Sequence, residues 1–396
     1  MSLNRRAFLA AAALPAAAIL SQSALGAADK KRYRACVIGD SKQGEYGHNM
    51  HLCFAMRDDV DVVGLADPDE AGRRSHADQA KAQHAYADYR EMLDKEKPDL
   101  VAIGPRWTLH HREYLLAAAE HGAHGIIEKP VADDLSDADA MVQAAEAKGL
   151  KWAVAYNFRA TALVQHAKKL IVDDGIIGEV LELRGRGKED DRAGGEDLLV
   201  LGTHIFDLMR FFAGNPEWCE ADITVNGKPA TKADVHDPTE PLGKIVGDRI
   251  QATFGFANGV KGYYGTTKNK DKNGGRWGLD ILGSKGVVTV RMDATPGMPA
   301  VFVLRDPSWA PGGKNIPWEP LPNAPDIKFK DANKERNAPI VNDLIAAIQE
   351  NRNPALSLQD GRDSLEMTQA VYEAYVRGAR APLPLKDRSH PLKRWG

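Results

Sequence analysis

The feature that most constrains this chain is a regular alternation of short apolar runs with longer helical patterns between positions 34 and 155. The apolar runs have the length of strands, and the segments between them carry apolar residues at helical spacing. Strands that alternate with helices predict a parallel sheet with helices on both faces. The predicted strands are Arg34–Ile38, Val60–Ala66, Asp99–Ile103, His124–Glu128 and Lys151–Ala155, and the predicted helices are Asp69–Gln83, Leu109–His121 and Asp134–Gly149.

The pattern changes after about residue 158, where a helix-like stretch leads into a β-rich half. Asn258-Gly259 separates two of its apolar runs, and this dipeptide is a strong signal for a β-hairpin. Hairpins produce an antiparallel sheet and hence a second domain of different architecture. We place the two domains at residues 31–157 and 158–396. The predicted elements of the second are helices at Ala162–Asp173, Pro339–Arg352 and Asp360–Arg377 and strands at Val180–Gly187, Ala221–Val225, Arg249–Phe256, Val260–Thr266, Trp277–Leu282 and Val287–Met292.

The first 28 residues have the layout of a removable export signal. Arg5-Arg6 precede an Ala- and Leu-rich run that ends at Leu20, and small residues follow. The arginine pair with Phe8 and Leu9 resembles a twin-arginine signal. The alternative, a membrane anchor, needs about 18–20 strongly apolar residues, and this run is shorter. We expect export of the folded protein to the periplasm, with no membrane attachment after removal of the signal and with a tightly held cofactor.

Composition excludes several classes of function. The net charge is −3 and the Lys and Arg residues are scattered, so no basic stripe can neutralise a nucleic-acid backbone. Three cysteines are too few for a disulfide framework. No spacing of Cys and His matches a zinc site, and we predict no metal.

A glycine-rich loop follows the first predicted strand. Gly39, Gly44 and Gly47 precede a helix-like stretch at His48–Met56. In dinucleotide folds, such glycines let backbone N–H groups approach a pyrophosphate at a helix N-terminus. The spacing is Gly-x4-Gly-x2-Gly, which is longer than the compact Gly-x-Gly-x2-Gly form. By itself this spacing fits a plain surface loop equally well.

Asp67 adds support for a dinucleotide site. It ends the second predicted strand and lies 20 positions after Gly47, where an acidic residue accepts hydrogen bonds from the adenosine ribose. A carboxylate there repels a 2′-phosphate and favours NAD over NADP. The alternative is a strand-end turn, which Asp67-Pro68 also suits. Arg73-Arg74 follow closely and leave NADP as a second option.

Two strand ends carry a family resemblance. One predicted strand runs into Gly104-Pro105-Arg106-Trp107, with His110-His111 beyond, and another runs into Ile127-Glu128-Lys129-Pro130. With the glycine loop and Asp67, these segments resemble the Gfo/Idh/MocA oxidoreductases of the glucose-fructose oxidoreductase type, and Glu-Lys-Pro is the most specific mark. The resemblance covers nearly the whole chain after the signal and includes Gly194-Gly195, Gly202–Asp207, Tyr372–Gly378 and Leu383-Pro384-Leu385.

The resemblance implies a fold, a cofactor and a site. The fold is a Rossmann domain that binds NAD or NADP, followed by an α/β domain whose open, mostly antiparallel sheet serves homo-oligomer contacts. The substrates are sugars, sugar acids, inositols or related polyols. Lys129 corresponds to the family's catalytic lysine near the nicotinamide, and Glu128 borders the nicotinamide ribose. The implied cofactor contacts are Gly39, Gly44, Tyr46, Gly47, Asp67, Pro105, Arg106, Trp107, His111, Glu128 and Lys129.

Physical chemistry also favours Lys129. Oxidation of an alcohol requires a proton to leave oxygen while a hydride leaves carbon, so a positioned acid–base group and a nearby cation both help. A lysine just beyond a buried strand end can have its pKa lowered by desolvation. The alternative is an exposed lysine at a strand end.

His204 is the second catalytic candidate. Family dehydrogenases place an Asp one helical turn before this His, but Val200 stands there. If Asp197–Phe212 forms one helix, Asp197 shares the face of His204, and Asp207 can orient the imidazole from behind. The alternative is a helix packed by its leucines, with His204 hydrogen-bonded in the core.

Three further residues are predicted to contact substrate together with His204. Lys188 lies in the dense polar run Arg186–Arg192 beside the expected cleft, although a solvated loop explains most of that run. Asn157 and Arg159 follow the last strand of the first domain and point toward the crevice where ligands bind in such sheets.

We therefore expect an oxidoreductase that transfers a hydride between a nicotinamide cofactor and a carbohydrate-like alcohol or ketone. A second hypothesis is a glycoside hydrolase or lyase that oxidises a sugar carbon transiently, with no net redox change. A third is a binding protein that keeps the fold without turnover.

Overall fold

A parallel sheet of six strands forms the first half of the chain in the computed structural model, which describes residues 32–269, 275–295, 298–307 and 316–396. The predicted export signal at residues 1–28 lies outside these residues. The strand order is β3-β2-β1-β4-β5-β6 and every pair is parallel, as predicted. The strands are β1 Tyr33–Ile38, β2 Val60–Ala66, β3 His84–Tyr86, β4 Leu100–Ile103, β5 His124–Ile127 and β6 Trp152–Val154.

Four helices connect these strands: α1 Glu70–Ala80, α2 Tyr89–Glu96, α3 His111–Glu120 and α4 Leu135–Ala147. The side chain of Asp69 accepts the N–H of Gly72 and caps α1, and Asp88 caps α2 in the same way. The sequence pattern did not predict β3 and α2, because β3 has only three residues and no buried side chain. All strands point the same way, so the loops after β1, β2, β4, β5 and β6 meet at one edge of the sheet.

The second half builds a mixed sheet with the strand order β15-β14-β13-β12-β7-β11-β10-β8-β16, and β9 pairs with β8. Only β7 and β11 pair in parallel among the described strands, so the sheet is mostly antiparallel. The hairpin predicted at Asn258-Gly259 joins β10 to β11. The strands are β7 Val180–Arg186, β8 Pro216–Val225, β9 Lys228–Pro229, β10 Arg249–Phe256, β11 Lys261–Thr267, β12 Gly278–Gly283, β13 Val287–Thr295, β14 Met298–Leu304, β15 Glu319–Pro320 and β16 Ala381–Pro382.

Helices cover one face of this sheet. Exposed and buried residues alternate along much of β7, β10 and β14, which is the pattern of a sheet with one packed face and one solvent face. The remaining helices are α5 Asn157–Ala160, α6 Ala162–Val172, α7 Gly195–Val200, α8 Gly202–Ala213, α9 Ala332–Glu335, α10 Ala338–Glu350 and α11 Leu358–Arg377. Within the described residues, no helix combines the length and the apolar character required to cross a bilayer.

Buried ion pairs link α5, α8 and α11. The Arg159 Nε lies 3.2 Å from Asp207 Oδ2, and its guanidinium also contacts Asp360 at 3.0 Å. Arg159 and Asp207 are both buried. Burial raises the pKa of Asp207 to about 7, and the lowering by Arg159 offsets this only in part. Arg159 therefore ties helices together, and its predicted contact with substrate stays a prediction. Asp207 faces Arg159 and makes no hydrogen bond with His204, which corrects its predicted role in orienting the imidazole.

The network yields a stability prediction. We expect Arg159→Met to reduce the free energy of unfolding by about 3–5 kcal/mol, because it leaves Asp207 buried without its cation. Urea denaturation followed by circular dichroism measures the change. Lys169→Met is the control, because its ion pair with Asp174 is solvent-exposed and the free energy should stay nearly constant. Unchanged stability with a raised KM would instead support a substrate contact for Arg159.

Candidate active site

Side chains from both halves of the chain enclose a cavity of about 190 Å³ at the carboxyl ends of β5 and β6. The first half contributes the segments after β1, β5 and β6, and the second half contributes α8 and neighbouring loops. The structure thus brings Lys129 and His204 together. The lining residues are His48, Lys129, Asn157, Phe158, Lys188, Leu201, His204, Trp277 and Arg336.

Lys129 enters the cavity two residues after β5 ends. Its side chain is only 6% exposed, and its Nζ donates a hydrogen bond to the carbonyl oxygen of Val200 at 3.1 Å. Burial lowers the pKa of Lys129, and the neighbouring Glu128 opposes this shift. A lysine in this setting exchanges a proton more readily near neutral pH than an exposed one does.

The bond from Lys129 falls where the predicted helix over Asp197–Phe212 breaks. The structure has two helices here, α7 and α8, with Leu201 between them. In a continuous helix the Val200 carbonyl accepts the N–H of residue 204. Here His204 donates to the Leu201 carbonyl instead, at 3.3 Å, and the Val200 carbonyl accepts from Lys129. The residue that departs from the family pattern therefore contributes through its backbone.

His204 lies near the beginning of α8 with an unsatisfied ring nitrogen. The side chain is 2% exposed, and its Nδ1 has no hydrogen-bond partner among the described residues. The ring makes edge contacts with Phe158 and Trp277 at centroid distances of 5.2 and 5.9 Å. Burial, with Lys129 adding to it, lowers the pKa of His204 well below the ordinary value. The imidazole is therefore held in its neutral form, with Nδ1 open to a ligand.

His48 is a site residue that sequence reasoning missed. Its Nδ1 bonds the carboxylate of the fully buried Glu128, and its ring lies 5.8 Å from the ring of His204. The other oxygen of Glu128 accepts the backbone N–H of Lys129 at 2.6 Å. Burial opposes ionisation of Glu128, but His48 and Lys129 together lower its pKa. Both carboxylate oxygens thus have protein partners, whereas the prediction placed Glu128 beside a ribose.

Asp197 anchors a loop and does not line the cavity. Its carboxylate accepts the backbone N–H groups of Lys188 and Glu189 at 3.1 Å each and the hydroxyl of Thr266 at 2.5 Å. The break at Leu201 also removes the shared helical face that linked Asp197 to His204. This position corrects the catalytic prediction for Asp197, which instead holds Lys188 at the cavity.

Asn157 and Lys188, both predicted to contact substrate, line the cavity. The Asn157 amide nitrogen bonds the side chain of Asn337, and its Oδ1 is buried with no partner among the described residues. The Lys188 Nζ lies 5.7 Å from the centre of the Trp277 ring and 3.7 Å from an Asp190 oxygen. Both side chains therefore present polar atoms to the cavity.

The cofactor groove differs most from the prediction at Gly39. The Tyr46 ring lies against this glycine, where a Cβ would come within 1.9 Å of the ring. Its hydroxyl donates to Asp67 at 3.0 Å. Asp67 also accepts from the Ser41 hydroxyl at 2.6 Å and from the Asp69 N–H at 2.9 Å. Its side chain is fully buried. In this conformation protein groups occupy the carboxylate that was predicted to bind ribose hydroxyls.

The glycine loop also satisfies most of its own N–H groups. Asp40 accepts the N–H groups of Lys42, Gln43 and Glu45, and the Gly47 N–H donates to the Gly104 carbonyl. No α-helix follows the loop, which corrects the helix predicted over His48–Met56. A short 3-10 segment at Gly47–Leu52 stands there, with left-handed φ angles of 46° at His48 and 55° at Asn49. The loop therefore offers no helix N-terminus to a pyrophosphate in this conformation.

The other predicted cofactor residues form the wall of the groove. Gly44 has a φ of +94°, and a Cβ there would lie 2.5 Å from the Trp107 backbone nitrogen. The Arg106 Nε donates to the Gly44 carbonyl at 3.3 Å. His111 is buried, and its ring nitrogens contact the carbonyl oxygens of Pro105 and Val131 at 2.7 and 3.1 Å. These contacts hold the loop against the strand ends.

A dinucleotide fits part of this groove as it stands. Two buried nitrogens have no hydrogen-bond partner in the described part of the chain and are available to a ligand. They are Trp107 Nε1, beside Gly44, and His204 Nδ1, in the cavity. At Gly39 the ring of Tyr46 takes the space. In this conformation the groove is therefore closed to a dinucleotide at Gly39.

The surface beyond Asp67 suits an unphosphorylated ribose. An open groove there carries three carboxylates against two cations, and its lining comprises Lys42, Pro68, Asp69, Glu70, Ala71, Arg74, Ser75 and Asp78. Arg73 donates to the Asp67 carbonyl at 2.6 Å, and Arg74 pairs with Glu70 at 3.1 Å. Both arginines already have partners, so the site favours NAD over NADP. Among the described residues, no group of His, Cys, Asp and Glu is placed to hold a metal ion.

Comparison with known proteins supplies the family. The family model described as "Oxidoreductase family, NAD-binding Rossmann fold" matches residues 34–156. The one described as "Oxidoreductase family, C-terminal alpha/beta domain" matches residues 170–383. The levoglucosan dehydrogenase of Pseudarthrobacter phenanthrenivorans is 27% identical over 269 residues, which are 61% of this chain and 67% of that protein.

Other similarities are narrower or structural. The D-apiose dehydrogenase of Paraburkholderia graminis is 31% identical over 195 residues, 47% of this chain and 51% of that protein. The chain thus spans about half to two thirds of the length of these relatives. A solved levoglucosan dehydrogenase in complex with NADH and L-sorbose aligns with a TM-score of 0.73 at 21% identity, over 90% of this chain and 100% of that one, and shows the fold alone. Because the two family models together match most of its length, this chain belongs to the Gfo/Idh/MocA family of NAD-binding oxidoreductases.

Proposed function

We propose that this protein transfers a hydride between NAD and a hydroxyl-bearing carbon of a sugar, polyol or sugar derivative. The observation that carries the proposal is the convergence of two buried side chains, Lys129 and His204, on one cavity at the carboxyl edge of the parallel sheet. Ligands of open α/β sheets bind at this edge. The sugar dehydrogenases among its relatives support the same class of substrate.

The chain's own residues handle the proton. When bound, NAD supplies the acceptor for the hydride that leaves the carbinol carbon. The hydroxyl proton passes to the neutral imidazole of His204, whose Nδ1 has no partner among the described residues. Lys129, held by the Val200 carbonyl, places its nitrogen beside the oxygen on which negative charge develops. In the reverse direction the same groups return the proton to a ketone.

The remaining walls of the cavity can orient the substrate. Phe158, Leu201 and Trp277 present apolar surfaces that suit the C–H face of a sugar ring. His48 borders the cavity, and Glu128 fixes the orientation of its imidazole. The site thus combines an apolar wall, two imidazoles and a buried lysine.

We expect Lys129→Met and His204→Asn each to reduce kcat by about 10²–10⁴-fold, the usual contribution of a positioned acid–base group. Reduction of NAD, followed by absorbance over a panel of aldoses, polyols and sugar acids, measures this. His121→Asn is the control, because His121 lies on the surface and bonds Asp94. Full activity in both variants would refute the assignment. Cleavage of a glycoside with no net NADH would favour the transient-oxidation alternative.

We further propose that NAD enters after the Tyr46 side chain leaves Gly39. The bond from its hydroxyl to Asp67 and its stacking on His76, at a centroid distance of 4.1 Å, hold the closed form. The apparent affinity of a ligand falls in proportion to the fraction of protein in the binding-competent form.

We expect Tyr46→Phe to tighten NAD binding by about tenfold or more, because it removes a hydrogen bond to a charged group worth about 1.5–3 kcal/mol in the closed form. Calorimetric titration of protein stripped of nucleotide measures the dissociation constant. Tyr33→Phe is the matched control, because Tyr33 lies at the opposite end of β1. Weaker NAD binding in Tyr46→Phe would mean that the phenol contacts the cofactor directly.

We also propose that residues 1–28 direct twin-arginine export to the periplasm and that the mature protein forms homo-oligomers through the second sheet. Arg5-Arg6 and the short apolar run after them support export. The large apolar side chains of Leu181 and Tyr263, 46% and 38% exposed, lie on strands of that sheet and support association.

One preparation tests both proposals. We expect the native chain in the periplasmic fraction, shortened by the signal, and Arg5→Lys/Arg6→Lys in the cytoplasm at full length. Sedimentation equilibrium of the periplasmic protein should give a multiple of the monomer mass. Export of the double-lysine variant, or a monomer mass, would refute the respective proposal.

A further inference from the structure

Two imidazoles line the cavity, and their surroundings differ. His204 is 2% exposed, and its Nδ1 has no partner among the described residues. The two carboxylates predicted to accompany it are engaged elsewhere, because Asp197 accepts from Thr266 and Asp207 faces Arg159. Burial also lowers the pKa of His204, so a proton that this ring takes up is readily released. The proton needs a second acceptor.

His48 has the carboxylate that His204 lacks. Its Nδ1 bonds Glu128, and a Cβ on Gly47 would lie 2.3 Å from the same carboxylate oxygen, so a glycine is needed there for this approach. Burial opposes the charge of Glu128, but His48 and Lys129 together lower its pKa, so it is ionised and accepts a hydrogen from Nδ1. The Nε2, on the other side of the ring, is then the nitrogen that accepts a proton. A carboxylate in this position orients an imidazole and stabilises its protonated form.

The backbone of His48 has a conformation that few residues adopt. The φ angles are 46° at His48 and 55° at Asn49, in the left-handed region that favours glycine. Such strain is concentrated at functional sites and persists where the surrounding structure holds it. Here the fully buried Asn337 donates to the His48 carbonyl at 2.9 Å, and the Asn49 amide donates to Asn333 at 3.0 Å. These contacts fix the position of the His48 ring.

The position of His48 connects it to the reacting groups. It lines the cavity together with Lys129 and His204. The rings of His48 and His204 are nearly perpendicular, at 85°, with their centres 5.8 Å apart. This separation suits a bridge through one hydroxyl or water oxygen. The His48 side chain is 19% exposed, so it is the more accessible of the two imidazoles.

We propose that His48, oriented by Glu128, carries the substrate's proton from His204 to solvent. This inference rests on the proposed oxidoreductase function and adds a proton-transfer residue to it. During oxidation the hydroxyl O–H bond breaks, and its proton binds His204 while a hydride leaves the carbinol carbon. The proton then passes through a bridging hydroxyl or water oxygen to the His48 Nε2, and from there to water. One alcohol and one NAD⁺ thus yield one carbonyl compound, one NADH and one proton.

His48→Gly in the full chain loaded with NAD tests this role. Glycine adopts a left-handed φ without strain, so the variant removes the imidazole and keeps the loop. We expect kcat to fall about 10²-fold for the compound that the wild type oxidises fastest, as measured by NADH absorbance. Added imidazole should raise the kcat of the variant about tenfold or more, because it occupies the vacated space and accepts the proton. Pyrazole has the same shape and is hardly basic, so it should not.

Asn49→Gly is the matched control. It relieves the same backbone strain at the next position, but Asn49 bonds the exposed Asn333 and does not line the cavity. Its kinetics should equal those of the wild type and should not respond to imidazole.

Calorimetric titration with imidazole provides a readout that does not need turnover. We expect His48→Gly to bind imidazole through the buried carboxylate of Glu128, and the wild type to show no comparable binding. Affinity should fall about tenfold or more in the double variant His48→Gly/Glu128→Gln, because a charge-assisted hydrogen bond is lost.

Several outcomes overturn this role of His48 and leave the oxidoreductase function intact. They are an unchanged kcat in His48→Gly, equal rescue by imidazole and pyrazole, and a loss that bound imidazole does not restore. Imidazole that fails to bind His48→Gly, or binds it regardless of Glu128, likewise refutes the pairing of the two residues. Imidazole binding that requires Glu128, without NADH production from any compound by the wild type, supports the pairing and refutes the redox function.

Discussion

The hydrogen bond from the Lys129 ammonium to the Val200 carbonyl joins the two halves of the site. It connects the end of a parallel strand to the end of a helix in the other half of the chain. The lysine occupies the carbonyl that would accept the His204 N–H in a continuous helix. This carbonyl lies at the break between α7 and α8. His204 lies in the first turn of the new helix, beside the lysine, and both side chains reach one cavity. The family's acidic position is occupied by Val200, which contributes its backbone and lets the lysine make a neutral contact.

Charge is distributed unevenly along the cleft. The far end of the groove carries the carboxylates of Asp69, Glu70 and Asp78, whereas the polar lining of the cavity includes cations and imidazoles and no carboxylate. Burial lowers the pKa of both Lys129 and His204, because few water molecules remain to stabilise their charged forms. Glu128 is the buried carboxylate beside this cluster, and its two partners, His48 and the Lys129 backbone, keep it from the cavity.

The longer glycine loop accounts for the closed cofactor groove. Its extra residues place Tyr46 over Gly39 and let Asp40 and Asp67 accept the loop's own N–H groups. A compact loop has too few residues for such a turn. Protein side chains and a dinucleotide therefore compete for the same acceptors, and the balance between them depends on a few hydrogen bonds.

The sequence by itself determined the alternation of strands and helices, the order of the two domains and the position of Lys129, because these follow from local periodicity and from short motifs at strand ends. It also placed Asn157 near the crevice, since the ends of parallel strands meet at one edge, whereas His204 was placed there by the family resemblance and Lys188 by the polar run around it. Only the tertiary structure decided which of these side chains face the cavity and which form buried ion pairs, as Arg159 and Asp207 do. His48 and Arg336 lie 288 positions apart and meet through Asn337, a contact that no local pattern encodes. The hydrogen-bond partner of a buried polar group depends on all the groups that packing brings near it. Those neighbours come from distant parts of the chain, so only the folded structure determines the partner.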